Sequence, residues 1–220
     1  MNKGFTLAEV LITLGIIGIV AAMTLPTLVN NYKKQIYVVG LKKAYNNLLV
    51  SLNYVKYSNN ISNLDEIGWN TNTTPIDNKQ FQSAYERNIY LIYKGFTKAQ
   101  YLEPLSKNCI YKSYADGLDG SLSKTNYNLC IDGGFKTADG MLYAQQGSFI
   151  FVDVNGIEKG PNFSGRDIFR FNIDTQRSIV YGREGWDMNK GYCMTDPSKS
   201  YATWGSYCTA RVLEEDAMNY

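Results

Sequence analysis

Histidine is absent from this chain of 220 residues, and its 22 lysines and arginines nearly balance its 20 aspartates and glutamates. Without histidine the chain cannot perform Ser-His-Asp or Cys-His catalysis, and it lacks the commonest transition-metal ligand. A net charge of +2 gives no electrostatic basis for binding nucleic acid. The cysteines never occur in C-x-x-C spacing, which argues against a zinc ribbon or a thioredoxin-like site. The composition therefore argues against an enzyme.

Charge is scarcest near the amino terminus, where Glu9 is the only charged side chain between Phe5 and Leu25. At ~1.5 Å per residue, a helix of this length spans ~30 Å, the thickness of the hydrocarbon core of a bilayer. An acid within a membrane is costly and is usually retained because it has a partner. The run predicts a membrane-spanning helix whose single carboxylate requires a partner.

An ordinary signal peptide is the competing interpretation of this run, with cleavage after Ala22. The apolar run is too long for a signal-peptide core and contains an acid, so we favour the spanning helix. The flanking lysines do not fix its orientation, because most of them follow the run and only Lys3 precedes it.

The amino-terminal motif closely resembles the class III signal of type IV prepilins and type II secretion pseudopilins. The residues that carry this resemblance are Gly4-Phe5-Thr6-Leu7, Glu9, Gly18, Ala21-Ala22 and Pro26. It implies that a membrane peptidase cleaves between Gly4 and Phe5 and methylates the new amino group of Phe5. It also implies that Glu9 acts in assembly. Pro26 lacks a backbone N–H, so we expect a kink or local loosening between Gly18 and Pro26.

The resemblance implies three parts: a leader at 1–4, a helix at 5–57 and an extracytoplasmic globular head at 58–220. Residues 5–25 would span the cytoplasmic membrane and later form the core of a filament. The implied function is a structural subunit of a type IV pilus-like or type II secretion pseudopilus filament. Its implied partners are other pilin-like subunits, the prepilin peptidase, and an assembly platform with its ATPase.

Two questions of function stay open at this stage. The motif does not distinguish a pilus from a secretion pseudopilus or a competence filament, although Glu9 argues against the secretion tip subunit that lacks this acid. The competing class of function is a membrane-anchored extracellular binding or adhesion module that does not polymerise.

Apolar periodicity predicts an α+β fold, in which one long N-terminal membrane-spanning helix packs on a C-terminal antiparallel sheet. A stripe at three- and four-residue steps predicts that the helix continues to about Tyr57. Its members are Ile36, Val39, Leu41, Tyr45, Leu48, Leu49, Leu52 and Val55. Short runs rich in aromatic and β-branched residues predict an antiparallel meander. These runs are Met141 to Gln145, Ser148 to Val154, Asp167 to Ile173 and Ser178 to Tyr181.

The remaining head segments give weaker signals. The Asn-, Ser- and Thr-rich stretch 58–75 predicts a surface loop, and one short helix is expected to begin after Asp77. Asp132-Gly133-Gly134 is typical of a turn. The tail from Thr209 shows little periodicity and is expected to pack along the sheet edge. In β-strand 167–173, alternation is expected to place Phe169 on the apolar face and Ile168 on the other.

Four cysteines, all beyond the membrane run, suit two disulfides formed in an oxidising compartment. Three pairings are compatible with the sequence. We favour Cys109 with Cys130 and Cys193 with Cys208, because each pair then encloses a loop without apolar periodicity.

The loop from Asp153 to Asp167 has two interpretations. Asp153, Asn155 and Asp167 are oxygen donors suited to a hard cation, and the heads of some pilin-like proteins bind calcium in such a loop. An EF-hand-type arrangement requires a glutamate at its twelfth position, where this chain has Ser164. The alternative is a long turn in which these side chains bond to nearby backbone N–H groups.

Overall fold

The computed structural model describes residues 4, 6–71, 75–102, 133–177, 179–181, 193 and 208–220. Phe5, Cys109 and Cys130 lie outside the described residues, so the expected pairing of those two cysteines stays a prediction. The chain divides into two compact units, Met1–Ile36 and Tyr37–Tyr220.

Helix α1 (Leu7–Asn59) is continuous through Pro26. Among the described residues, it is the one helix with the length and composition of a membrane span. Its most apolar 18-residue stretch has a mean hydropathy of 2.2. The hydroxyls of Thr13 and Thr24 donate to the carbonyls of Val10 and Val20, so neither is left without a partner in an apolar surrounding. No break in the helix occurs between Gly18 and Pro26, and the kink or local loosening expected there stays a prediction.

The head contains a six-stranded antiparallel meander in which every strand pairs with its neighbour in sequence. Its strands are β1 (Gln100–Leu102), β2 (Gly133–Lys136), β3 (Leu142–Gln146), β4 (Phe149–Asp153), β5 (Ile168–Asp174) and β6 (Ile179–Tyr181). The four predicted strands correspond to β3 to β6, which confirms the predicted α+β fold class. Strands β1 and β2 were not predicted.

The prediction of a turn at Gly133-Gly134 is wrong, because both glycines belong to β2. Gly133 lies opposite Gln145 of β3. A Cβ at Gly133 would lie 2.8 Å from Cγ2 of Ile89, on the helix that covers this part of the sheet. Glycine is therefore needed here for close helix packing.

The core lies where α1 and a second helix, α2 (Ala84–Lys94), pack on one face of the sheet. Leu41, Leu48 and Leu52 of α1 are fully buried, and Tyr45 stacks on Phe171 with ring centroids 6.4 Å apart. Ile168 is only 1% exposed, contrary to its expected place on the polar face. It belongs to a second apolar cluster, which the single-face pattern did not anticipate.

Two members of the predicted apolar stripe do not join the core. Ile36 is 46% exposed and Val39 is 66% exposed. Val39 precedes Leu41 by two positions, which is about 200° around a helix, so the two cannot share a face. Val39 is three residues from Ile36, but a three-residue step from one neighbour does not place a residue on the buried side of the helix.

The stretch predicted as a surface loop after α1 is partly ordered and buried. It contains a short 3-10 helix (Leu64–Ile67), and Leu64 and Trp69 are buried. The guanidinium of Arg87 donates to the carbonyl of Gly68, and the amide of Asn88 donates to that of Trp69 at 2.6 Å. These buried polar side chains of α2 fix the loop, an effect that local composition does not reveal.

Helix α2 starts at Ala84, later than expected, because a tight turn precedes it. Asp77 and Asn78 both have positive φ and connect Ile76 to Lys79. Ser83 caps the start of the helix, and its side chain accepts a hydrogen bond from the N–H of Glu86 at 3.1 Å.

The tail forms a third helix, α3 (Cys208–Glu215), that was not predicted. Cys208 is joined to Cys193 by a disulfide, the pairing expected for these two residues. The Thr209 hydroxyl accepts a hydrogen bond from the backbone N–H of Arg170 at 3.1 Å. Arg170 lies on β5, before Asn172, where the pairing of β5 with β6 starts. The tail therefore packs on a sheet edge, as expected, but as a helix too short to show periodicity.

Candidate functional site

The amino-terminal site is built on the first turn of α1. Thr6 precedes the helix, and its backbone N–H and its hydroxyl both donate to Oε2 of Glu9 at 2.8 Å. The Glu9 N–H donates in return to the Thr6 hydroxyl at 3.3 Å. This is a capping box, in which two side chains satisfy backbone groups that the helix start leaves unpaired.

The capping box determines where the single charge of the apolar run lies. Glu9 is held at the helix amino terminus, where the helix dipole favours a negative charge. Its side chain is exposed, and both bonds from Thr6 use Oε2. Within the described part of the chain, Oε1 accepts no hydrogen bond.

Gly4 lies just outside this helix start in an open environment. Gly4 itself is exposed, and a Cβ added there would meet nothing within 4 Å. Gly15 and Gly18 are equally open on the helix surface. The first of the two units contains Gly4, Glu9, Gly18 and Pro26, whereas Phe5 lies outside the described residues.

Thr6 is a site residue that the sequence analysis did not single out. The signal was present, because Thr6-Leu7-Ala8-Glu9 has the S/T-x-x-E spacing of a capping box ahead of an apolar run.

Comparison with known families agrees with this site. Residues 1–25 match the family model for the prokaryotic N-terminal methylation motif. This motif is the prepilin signal of type IV pilins and pseudopilins. Searches of curated proteins and of solved structures found no match. The signal and the apolar helix fit a single-pass membrane anchor, and the long helix followed by an antiparallel sheet is a pilin-like architecture.

The second candidate site is the loop between β4 and β5. Oδ1 of Asp153 accepts the N–H groups of Asn155 at 3.1 Å and Gly156 at 2.8 Å. The two carboxylate oxygens of Asp167 accept those of Asn162 and Phe163, each at 2.8 Å. These are the side-chain-to-backbone bonds that the turn interpretation expects.

Other features of the loop suit a cation. Oδ1 of Asn155 and Oδ1 of Asn162 are buried and have no hydrogen-bond partner among the described residues. Asp153 and Asp167 are buried, and burial raises the pKa of Asp167, although backbone N–H groups partly oppose the effect. Asn162 was not among the predicted ligands. No group of three His, Cys, Asp or Glu side chains suited to a metal occurs in the described ranges, so amide oxygens would have to complete a cation site.

Removal of calcium tests the two interpretations of this loop. If an ion binds, chelator should lower the melting temperature of the protein, and the difference should shrink as pH falls, because the ion requires ionised carboxylates. In the ion-free protein, the raised pKa of Asp167 means that its contribution to stability is lost as pH rises through that pKa.

The matched variants are Asn162→Ala, which removes an unpartnered oxygen, and Asp174→Ala, which removes a carboxylate that bonds to a different turn. Chelator sensitivity should be reduced in the first and kept in the second. Identical melting curves with calcium and with chelator would exclude the calcium interpretation and leave the turn as the remaining one.

Proposed function

We propose that this chain is a structural subunit of a type IV pilus-like or type II secretion pseudopilus filament. The observation that carries the proposal is the prepilin signal at residues 1–25, at the start of a continuous apolar helix. In this role the chain catalyses no reaction and acts by being incorporated into a polymer.

Processing would remove residues 1–4 and leave Phe5 as an N-methylated amino terminus. Support comes from Gly4, which is exposed ahead of the helix and so is accessible to a membrane peptidase. Glu9 would then provide the counter-charge for the amino group of Phe5 on a neighbouring subunit. Oε1 of Glu9, which accepts no hydrogen bond from the described residues, is suited to that contact.

The exposed apolar surface of the first unit supports polymerisation. Large side chains such as Leu11, Ile17 and Met23 are each more than 60% exposed. Lipid covers such a surface while the subunit is in the cytoplasmic membrane, and in a filament other subunits must cover it. The partners of the proposed function are therefore other pilin-like subunits, together with the peptidase, the assembly platform and the ATPase.

The head would lie outside the cytoplasmic membrane and then on the surface of the pilus or pseudopilus. The Cys193–Cys208 disulfide supports an oxidising location.

Electron microscopy of material sheared from producing cells tests the proposal. We expect filaments that contain the mature chain and that disappear when its gene is deleted. Cells that lack the assembly ATPase should retain the cleaved protein in the membrane without filaments. If the protein instead reaches the cell surface as single membrane-anchored copies in both strains, it is the non-polymerising binding module.

A further inference from the structure

Three aromatic rings surround the ammonium group of Lys79. Its Nζ lies 4.3 Å from the ring centroid of Tyr101, 4.8 Å from that of Tyr90 and 5.6 Å from that of Phe81. Phe81 precedes α2, Tyr90 lies within it, and Tyr101 lies on β1. The faces of such rings attract a cation that lies within about 6 Å of their centroids. The three rings are here called the aromatic cage.

The aromatic cage is held together without the ammonium group. Tyr90 packs edge-on against Tyr101 with ring centroids 5.2 Å apart, and it contacts Phe81 at 5.3 Å. Tyr93 contacts Tyr101 at 5.3 Å and Phe135 of the core at 5.8 Å. The rings are therefore held by one another and by the core, so the cage should keep its shape when the cation leaves.

Lys79 reaches the cage from a separate element. Its backbone exchanges two hydrogen bonds with Ile76, at 3.2 and 2.9 Å, across the tight turn that precedes α2. Lys79, Tyr90 and Tyr101 are each half-buried, so solvent reaches this side of the head. The ammonium can therefore leave by rotation of one flexible side chain, while the backbone and the rings stay in place.

A quaternary ammonium group suits such a cage better than a lysine does. A lysine ammonium has three N–H donors and is strongly hydrated, and ring faces replace those hydrogen bonds poorly. A trimethylammonium group has the same charge but no N–H donor, so it loses no hydrogen bond on entering the cage. Recognition of quaternary ammonium ligands is an established use of aromatic cages in proteins.

The surroundings also suit an anion attached to that group. When Lys79 withdraws, its charge moves just outside the cage. Nζ of Lys94 lies 5.7 Å from the ring centroid of Tyr90 and 3.2 Å from a carboxylate oxygen of Asp77. An anionic group close to the bound cation would therefore meet lysine side chains beside the rings.

We propose that the aromatic cage binds a trimethylammonium group that carries an anion nearby, as phosphocholine does, and that Lys79 occupies the cage until this ligand displaces it. The inference goes beyond filament assembly and does not depend on it.

Titration of the full-length protein in maltoside micelles with phosphocholine tests the site, with saturation-transfer NMR of the ligand protons as the measurement. Phosphoethanolamine has the same phosphate but a primary ammonium, so it is the matched ligand and should bind about tenfold more weakly. Equal binding of the two ligands would show that the lysines attract phosphate alone and would overturn the proposal.

Ring variants test whether the cage is the site. Tyr90→Leu removes one ring and should lower the affinity for phosphocholine about tenfold. Tyr57→Leu removes an exposed tyrosine outside the cage and should leave the affinity unchanged. Equal affinity of both variants and the parent would place the ligand elsewhere and refute the proposal.

A gain of binding separates a ligand site from a purely structural contact. Lys79→Ala removes the resident ammonium and leaves the rings in place. It should bind tetramethylammonium, which carries no anion, about fivefold more tightly than the parent does. If tetramethylammonium shows no saturable binding to Lys79→Ala, the cage only anchors Lys79 and the proposal is wrong, even where Tyr90→Leu fails to fold.

Lipids carried in the same micelles identify the source of the ligand. Displacement of phosphocholine by phosphatidylcholine, but not by phosphatidylglycerol, would support the proposal with a lipid headgroup as ligand. Binding of phosphocholine that neither lipid displaces would support it with a soluble ligand. Equal displacement by both lipids would show recognition of phosphate rather than trimethylammonium and would contradict the proposal.

Discussion

Replacement of Gly4 by valine is expected to leave the chain uncleaved, with the precursor accumulating in the membrane. The peptidase must accept an extended backbone with almost no side chain at this position, and a β-branched residue fills that space. A Cβ at Gly4 meets nothing within 4 Å in the subunit, so the substitution should leave the fold unchanged. Loss of processing would therefore report recognition by the peptidase.

Amino-terminal mass analysis measures this result. The parent protein should begin at Phe5 with one additional methyl group, and Gly4→Val should retain Met1 or the residue after it. Gly15→Val is the matched control, because Gly15 is equally open but lies beyond the cleavage site. It should be processed normally. Cleavage of the parent after Ala22 would identify an ordinary signal peptide and contradict the prepilin interpretation.

The sequence predicted the elements whose patterns are long. The apolar run and stripe repeat over many turns, so α1 was predicted to within about two residues of each end, and β3 to β6 were recognised from dense β-branched and aromatic runs. Strand β1 and helix α3 are too short to show a period. Strand β2 contains two glycines, and Gly133 is explained only by its tertiary contact with Ile89.

The candidate sites also differ in whether a local sequence pattern or only the folded structure reveals their residues. Gly4 and Glu9 were identified because their signal is local and contiguous in sequence. Asn162 joins the loop site only because the folded loop buries its amide oxygen, and no local pattern indicates that. The exposure of Val39 depends on which side of α1 meets the sheet, which a mixed three- and four-residue spacing leaves ambiguous over several turns.

Glu9→Ala is expected to abolish filaments while cleaved protein stays in the membrane in normal or raised amounts. In a filament core the carboxylate would face the amino group of Phe5 on an adjacent subunit. A paired charge is tolerable in that low-dielectric surrounding, and a lone charge is costly. In the isolated subunit the same change removes a charged group from an apolar span, so it should be neutral or mildly favourable there.

The capping box adds a second role that this experiment must separate. Glu9 also accepts two hydrogen bonds from Thr6 at the start of α1, and alanine removes both. Glutamine can still accept them, because a capping box tolerates Glu or Gln, but it carries no charge. Glu9→Gln is therefore the matched variant: it retains the cap and removes the counter-charge.

The two roles predict different results for these variants in a strain that lacks the parent copy. If the charge is needed, Glu9→Gln should lose filaments as completely as Glu9→Ala, and Glu9→Asp should be partly defective because its carboxylate reaches less far. Quantitative immunoblots of membranes and sheared fractions measure both pools. Filaments restored by Glu9→Gln would assign the residue to the helix cap. Incorporation of Glu9→Ala as efficient as that of the parent would refute the pairing with Phe5, because an unpaired ammonium in the filament core would then carry no measurable cost.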